Sequence, residues 1–142
     1  MLVLVAAALL AGAPTESHRV EIDHRGRSVE AIYRGPVSLD HRQVGSIAGP
    51  GRPGTLRCAW SATVSVTREA RSAAGHALIR TLAEEAPLRG SRPGWCATQR
   101  GAIAREIAAR GVEIREHLAT VAERDRAALH AELEAVHGPA RG

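Results

Sequence analysis

The residues of this chain that could do chemistry are its seven histidines, its two cysteines and its many arginines. Two short alternating segments each end in Asp-His-Arg, which places Asp23 beside His24 and Asp40 beside His41. Because imidazole and carboxylate groups are common ligands of divalent metals, one interpretation of this repeat is a metal site. We favour the other interpretation, two strands that end in similar polar turns, because Asp accepts turn geometry and local hydrogen bonds.

A further set of titratable side chains lies near the C-terminus, where His130 and His137 flank Glu134. Their spacing places both histidines on one side of a helix. We interpret these residues as part of a solvated helix surface, where charged and polar side chains are common. The sequence therefore predicts neither a metal nor a cofactor.

The two cysteines, Cys58 and Cys96, most simply form one disulfide in an exported chain, because disulfides persist in oxidising compartments. On the loop-entropy model, this bridge would stabilise the fold by roughly 4 kcal/mol. The alternative is a reactive thiol at Cys96, since a helix N-terminus lowers the pKa of a thiol. The chain has no CxxC motif and no obvious base beside Cys96, so we predict the disulfide.

The basic residues are all arginines, and the formal net charge is +4. The absence of lysine is typical of a compositional bias, and 15 acidic residues are interspersed with the arginines, which favours an ordinary mixed-charge surface. An excess of arginine can also bind anions. The candidate anion-binding residues lie around the predicted sheet and its loops: Arg52, Arg57, Arg68, Arg71, Arg89 and Arg92.

Local motifs of the common enzyme classes are missing from the sequence, which has no GxSxG, GxxxxGK[ST] or HExxH pattern. Residues 49–54 match GxGxxG, but a strand is predicted after them where the dinucleotide-binding motif requires a helix, so we exclude nucleotide binding. Catalytic residues that only the fold brings together would leave no such pattern. An enzyme therefore remains an alternative.

The N-terminus begins with an apolar run at residues 2–13. This run is too short to span a bilayer of about 30 Å, and it resembles the hydrophobic region of a secretory signal peptide. We predict a signal peptide over residues 1–17. The mature protein is then periplasmic or secreted, with no transmembrane span.

Residues 18–94 form the predicted sheet, and its central strand is the segment 56–67. In this segment Cys58, Trp60 and Val64 share one parity, so they lie on one face of a strand. The other predicted elements are a hairpin over residues 18–34, a break at Gly35 and Pro36, a third strand at 37–44, a strand or short helix at 76–86 and a loop at 87–94.

Residues 95–138 show helical spacing of apolar residues without a proline, and residues 139–142 are a short tail. The pattern predicts one long helix or a helix pair that breaks near Gly111 or Thr120. Its apolar stripe is longer than a sheet of this size would cover. We therefore assign a candidate partner-binding face to Ile114, Leu118, Leu129 and Leu133.

Together these patterns predict an α+β fold, in which a small antiparallel sheet of four to five strands precedes a long C-terminal helix or helix pair, with one disulfide. The favoured function is a non-enzymatic interaction module that binds a protein partner or associates with itself through its amphipathic helix. The first alternative is arginine-mediated binding of an anionic envelope polymer or nucleic acid. The second is an enzyme with a non-local active site.

Overall fold

The computed structural model describes residues 15–52 and 54–138. As predicted, the fold is α+β, with a four-stranded antiparallel sheet in the order β1-β2-β3-β4 followed by two helices. The elements are β1 (Thr15–His24), β2 (Arg27–Val44), β3 (Arg57–Arg71), β4 (Ala77–Pro93), α1 (Cys96–Ala109) and α2 (Gly111–His137). Residues 1–14 of the predicted signal peptide and the predicted tail at 139–142 lie outside the described residues.

Strand β3 is the centre of the sheet, as its alternating pattern predicts. Cys58, Trp60, Ala62, Val64 and Val66 are all buried on the face that carries both helices. The alternate residues of β3 remain partly exposed on the other face. The molecule therefore has two layers, and one face of the sheet is left without a covering layer among the described residues.

The predicted break at Gly35 and Pro36 is wrong, because β2 is one continuous strand through both residues. A Cβ atom on Gly35 would lie 2.5 Å from Cγ1 of Val64 and 2.9 Å from Cδ2 of Leu118. The glycine is needed because α2 packs closely on the sheet at this point. The presence of glycine at position 35 is therefore explained by this packing and not by a turn.

The predicted loop at residues 87–94 is also wrong, because residues 77–86 form a strand that continues to Pro93. Two register shifts between β3 and β4 accommodate the extra residues of β4. Because β4 is an edge strand with these irregularities, it tolerates Pro87, which would be unfavourable in a central strand.

The helical region breaks at Arg110, next to Gly111, which was one of the two predicted positions, and not near Thr120. The predicted disulfide joins Cys58 on β3 to Cys96 at the start of α1, with the two Cα atoms 4.8 Å apart. No helix in residues 15–52 and 54–138 is long and apolar enough to cross a membrane.

The predicted partner-binding face is not exposed, although Val112 and Val136 elsewhere on α2 are. Ile114, Leu118, Leu129 and Leu133 are each at most 2% exposed and belong to the core. The break before Gly111 lets each helix lie on the sheet separately, so the sheet covers these four residues. These four residues are not available to a partner in this fold.

Candidate functional site

The uncovered face of the sheet is polar along most of its length, although Ile32 and Ile79 flank Glu69 at one end. Successive residues of β3 on this face are Ser61, Thr63, Ser65 and Thr67, and all are partly exposed. A hydroxyl-bearing strand with no layer above it can donate and accept hydrogen bonds with a bound molecule. This face therefore offers the polar groups that a ligand site needs.

A hollow of about 600 Å³ lies on this face toward one end of the sheet. The strand register sets Asp40 on β2 opposite Ser61, and Ser61 opposite Arg89 on β4. Arg42 lies opposite Ala59 in the next row. Because residues that face each other across antiparallel strands point to the same side, these five side chains share the uncovered face. We call this site the Arg42–Arg89 hollow.

Three guanidinium groups lie in or beside this hollow. Arg42 and Arg89 line it, and Arg57 lies on the same face, where its Nε donates a hydrogen bond to Ser91 Oγ at 3.0 Å. None of the three forms an ion pair with another of the described residues, and neither does Asp40. The arginines are exposed, so their donors are available to an anion, while the Asp40 carboxylate opposes one.

The structure brings together only part of the predicted set of arginines. Arg57 and Arg89 share the uncovered face, with Arg89 in the hollow and Arg57 beside it. Arg71 lies at the far end of β3, and Arg52 is exposed in the loop before β3. Arg92 is engaged by α1, where its Nε donates to Gln99 Oε1 at 3.0 Å. Arg42 was not among the predicted residues, although its parity with Asp40 within one strand places it on this face.

Arg68, another candidate, is completely buried and belongs to the core. Its Nη1 donates to Asp125 Oδ2 at 3.2 Å and to Glu132 Oε2 at 2.8 Å. The Tyr33 hydroxyl donates to the same Asp125 oxygen at 2.8 Å. Burial and this bond to Asp125 raise the pKa of Tyr33 well above its usual range. The cluster fastens α2 to the sheet, and Arg68 cannot reach a surface ligand.

A smaller hollow of about 250 Å³ lies between β4 and α2 beside this cluster. Its rim carries Arg80 and Arg124, but both face acids. Arg124 Nη2 lies 2.8 Å from Glu85 Oε1, and Arg80 Nη1 lies 3.7 Å from Glu132 Oε2. These ion pairs leave less positive charge for a ligand here than in the Arg42–Arg89 hollow.

The two Asp-His pairs do not meet. Asp23 and His24 end β1 and lie beside the start of β2, whereas Asp40 and His41 lie near the end of β2. His24 is opposite Arg27 at the start of β2, whereas His41 is opposite Trp60 near its end. Asp23 accepts a hydrogen bond from the Gly26 amide at 3.0 Å. This bond agrees with the interpretation of the segment as a polar turn. No set of three or more His, Cys, Asp or Glu side chains in the described ranges is arranged to hold a metal ion.

The titratable residues of α2 meet the tip of the β1–β2 hairpin. His24 Nε2 lies 2.7 Å from Glu134 Oε1, and Arg25 Nη2 donates to Glu134 Oε2 at 2.6 Å. The hydrogen bonds from Arg25 and then from His24 lower the pKa of Glu134 to about 2. The rings of His130 and His137 lie 6.5 and 6.0 Å from the ring of His24. These residues join helix to hairpin, a contact that the helix pattern alone does not reveal.

Comparisons of this chain with protein-family models, with curated proteins and with solved structures found no match.

Proposed function

We propose that this protein is a binding module that captures an anionic polymer on the uncovered face of its sheet. The observation that supports this proposal is the grouping of Arg42, Arg57 and Arg89 around one hollow without an acidic ion-pair partner among the described residues. Guanidinium groups form paired hydrogen bonds with carboxylate, sulfate and phosphate oxygens, so this grouping suits an anion. The helix stripe no longer supports a competing partner site, because it is buried.

Among anionic polymers, we favour an acidic polysaccharide over a nucleic acid. Proteins that bind single strands commonly stack bases on aromatic side chains. Trp60 lines the hollow, but its side chain belongs to the buried face of β3 and is only 4% exposed, and Tyr33 is 2% exposed, so neither ring offers a surface for stacking. Trp95 is exposed at the start of α1 and does not line the hollow. The hydroxyl groups that continue along β3 from Ser61 suit the hydroxyl and acidic groups of a sugar chain.

We also propose that the protein works outside the cytoplasm, in the periplasm or as a secreted protein. The Cys58–Cys96 disulfide supports this location, because such bridges are rare in reducing compartments. The apolar run at residues 2–13 supports it as well, because it is typical of a signal peptide.

The test is calorimetric titration of the purified protein with heparin, as a sulfated polysaccharide probe. We expect binding that weakens steeply with salt, because an anionic polymer releases counterions when arginines bind it. The double variant Arg57→Ala, Arg89→Ala should bind roughly tenfold more weakly. Arg71→Ala is the matched control, because Arg71 is exposed on the same strand and face but at the other end.

The proposal fails if heparin does not bind, or if Arg71→Ala weakens binding as much as the double variant does. A single-stranded oligonucleotide of matched charge is the comparison ligand. If the oligonucleotide binds more tightly than heparin at equal salt concentration, the ligand is a nucleic acid and not a polysaccharide.

A further inference from the structure

The hollow of about 250 Å³ between β4 and α2 has a buried carboxylate in its wall. Asp125, which lines this hollow, is 6% exposed, and its Oδ2 accepts hydrogen bonds from Tyr33 and Arg68. No hydrogen bond from residues 15–52 and 54–138 reaches Oδ1, although Oδ1 is not fully buried. Oδ1 is therefore able to accept a hydrogen bond from a molecule in this hollow, which we call the Asp125 hollow.

A β-bulge in β4 contributes to the wall of the Asp125 hollow. The register shift between Ser65 and Thr67 leaves Leu82 and Ala83 of β4 opposite Val66 alone. Leu82 and Ala83 both line the hollow. Bulges are common beside binding and active sites, because the local bend in the strand redirects its side chains. The irregularity of β4 therefore lies at the place where the buried carboxylate reaches the surface.

Each charged side chain that lines the Asp125 hollow already faces an opposite charge. Arg80 faces Glu132, Arg124 faces Glu85, and Asp125 faces the buried guanidinium that binds its Oδ2. A simple anion or a simple cation therefore meets attraction and repulsion together. A molecule that carries both charges can place each of them beside its opposite, so the hollow favours a zwitterion.

The guanidinium groups at the rim retain donors for such a molecule. A guanidinium carries five N–H donors. Within the described ranges, Arg124 makes one side-chain hydrogen bond, from Nη2 to Glu85. Arg80 Nη1 lies 3.7 Å from Glu132, which is beyond hydrogen-bond distance. The side chains of Arg80 and Arg124 are 54% and 57% exposed, so both are accessible to a carboxylate.

The rest of the wall is largely apolar and the volume is small. Leu82, Ala83, Val121 and Ala128 line the hollow beside its charged groups. Ligand pockets for drug-sized molecules begin at about 300 Å³, so this hollow suits a molecule of few atoms. The apolar wall suits an aliphatic group on that molecule.

We propose that the Asp125 hollow binds a free α-amino acid with an aliphatic side chain. The ammonium group donates to Asp125 Oδ1, the carboxylate accepts from Arg80 and Arg124, and the side chain lies against Val121. Both charges of an α-amino acid are attached to one carbon, which matches a hollow that offers both partners within a small volume. None of these residues lines the Arg42–Arg89 hollow, so this inference does not depend on the anionic polymer.

An NMR titration of isotope-labelled protein with L-leucine tests the proposal. We expect amide shifts at Leu82, Val121 and Ala128 to change, with a dissociation constant of about 1 mM or lower. N-acetyl-L-leucine lacks the ammonium group, and L-leucinamide lacks the carboxylate. Each should bind roughly tenfold more weakly than L-leucine, because each loses a charge-assisted hydrogen bond.

Variants at the rim separate recognition from folding, since Asp125 itself also supports the core. Arg124→Gln should weaken L-leucine binding roughly tenfold without weakening L-leucinamide binding, because the amide has no carboxylate for Arg124 to bind. Arg126→Gln is the matched control, since Arg126 is exposed on the same helix but does not line the hollow. Ala128→Leu should abolish binding by filling the hollow. Far-UV circular dichroism shows whether each variant is folded.

The proposal is overturned if L-leucine causes no shift changes below about 10 mM. It is also overturned if either blocked analogue binds as tightly as L-leucine, or if folded Arg126→Gln loses as much affinity as Arg124→Gln. Excess L-leucine should leave heparin bound, and displacement of heparin would contradict separate sites. Because the L-leucine titration contains no heparin, its failure leaves the proposed binding function untouched, and a failure of heparin to bind leaves the Asp125 hollow untouched.

Discussion

Arg42 and Arg89 line the same hollow, although β3 separates the strands that carry them. Asp40 and Ser61 face each other, as do Ser61 and Arg89, so the register of three strands alone assembles the site. The shape of the hollow therefore depends on the integrity of the sheet. Changes in the core should weaken binding only as far as they unfold the protein.

Removal of the Cys58–Cys96 bridge should destabilise the fold. We expect the double variant Cys58→Ala, Cys96→Ala to lose about 2 to 4 kcal/mol of unfolding free energy, because the bridge restricts the unfolded chain. Urea unfolding followed by circular dichroism measures this difference. Wild-type protein under reducing conditions is the control and should show a similar loss. A loss below about 1 kcal/mol would contradict the prediction.

Asp125→Asn should be strongly destabilising. The substitution keeps the shape of the side chain but removes a charge that faces buried Arg68 and accepts a hydrogen bond from Tyr33. Because Glu132 still faces Arg68, we expect the free energy of unfolding to fall by about 3 kcal/mol, which is the lower end of the range for a broken buried ion pair. Glu123→Gln, on an exposed part of the same helix, is the control for thermal or urea unfolding. Equal effects of the two variants would contradict the buried cluster.

Glu134 should give stability that depends on pH in the acidic range. Its pKa is about 2 in the folded protein, below the ordinary value of 4.5, because Arg25 and then His24 bind the carboxylate. A lowered pKa means that the stabilisation is complete above pH 4.5 and is lost as the pH falls toward 2. The difference in unfolding midpoint between wild type and Glu134→Gln should therefore shrink across that range.

An NMR titration of the Glu134 carboxyl carbon measures the same shift directly. Arg25→Ala should return its pKa toward the ordinary value, because the hydrogen bond from Arg25 is the larger cause. A Glu134 carboxyl that titrates at its ordinary pKa in the wild-type protein would show that the hairpin and α2 do not meet in solution.

Gly35→Ala should destabilise the contact between sheet and helix. The added Cβ would meet side-chain atoms of Val64 and Leu118 at less than van der Waals distance, so the core must shift. We expect a loss of about 1 to 3 kcal/mol by urea unfolding. Gly49→Ala is the matched control, since nothing lies within 4 Å of a Cβ at that position. A stable Gly35→Ala variant would contradict the close packing of α2 on β2.

The sequence pattern predicted those features that depend on local periodicity. The alternation from Cys58 to Val66 identified β3 and its buried face, and the two cysteines identified the disulfide. The continuity of β2 through Gly35 could not be predicted, because the reason for that glycine lies on α2, at Leu118. A glycine in a turn and a glycine under a helix leave the same signal.

Features that depend on how strands pair or how helices pack on the sheet could not be predicted either, because their causes lie on elements distant in the sequence. The course of β4 past Pro87 depends on register shifts against β3. The helix stripe was predicted to be partly free, but its coverage depends on how the break at Arg110 lays α2 on the sheet. Of the two arginines that line the Arg42–Arg89 hollow, only Arg89 was predicted, because no local sequence spacing relates β2 to β4.

The most direct test of the central claim is an NMR titration of isotope-labelled protein with a heparin oligosaccharide, which locates the ligand on the fold. The account predicts that amide shifts change around Arg42, Ser61 and Arg89 on the uncovered face, and that α2 amides stay unchanged. It also predicts that the changes disappear as salt is raised. Shift changes confined to α2, or no changes at low salt, would contradict the proposed binding face.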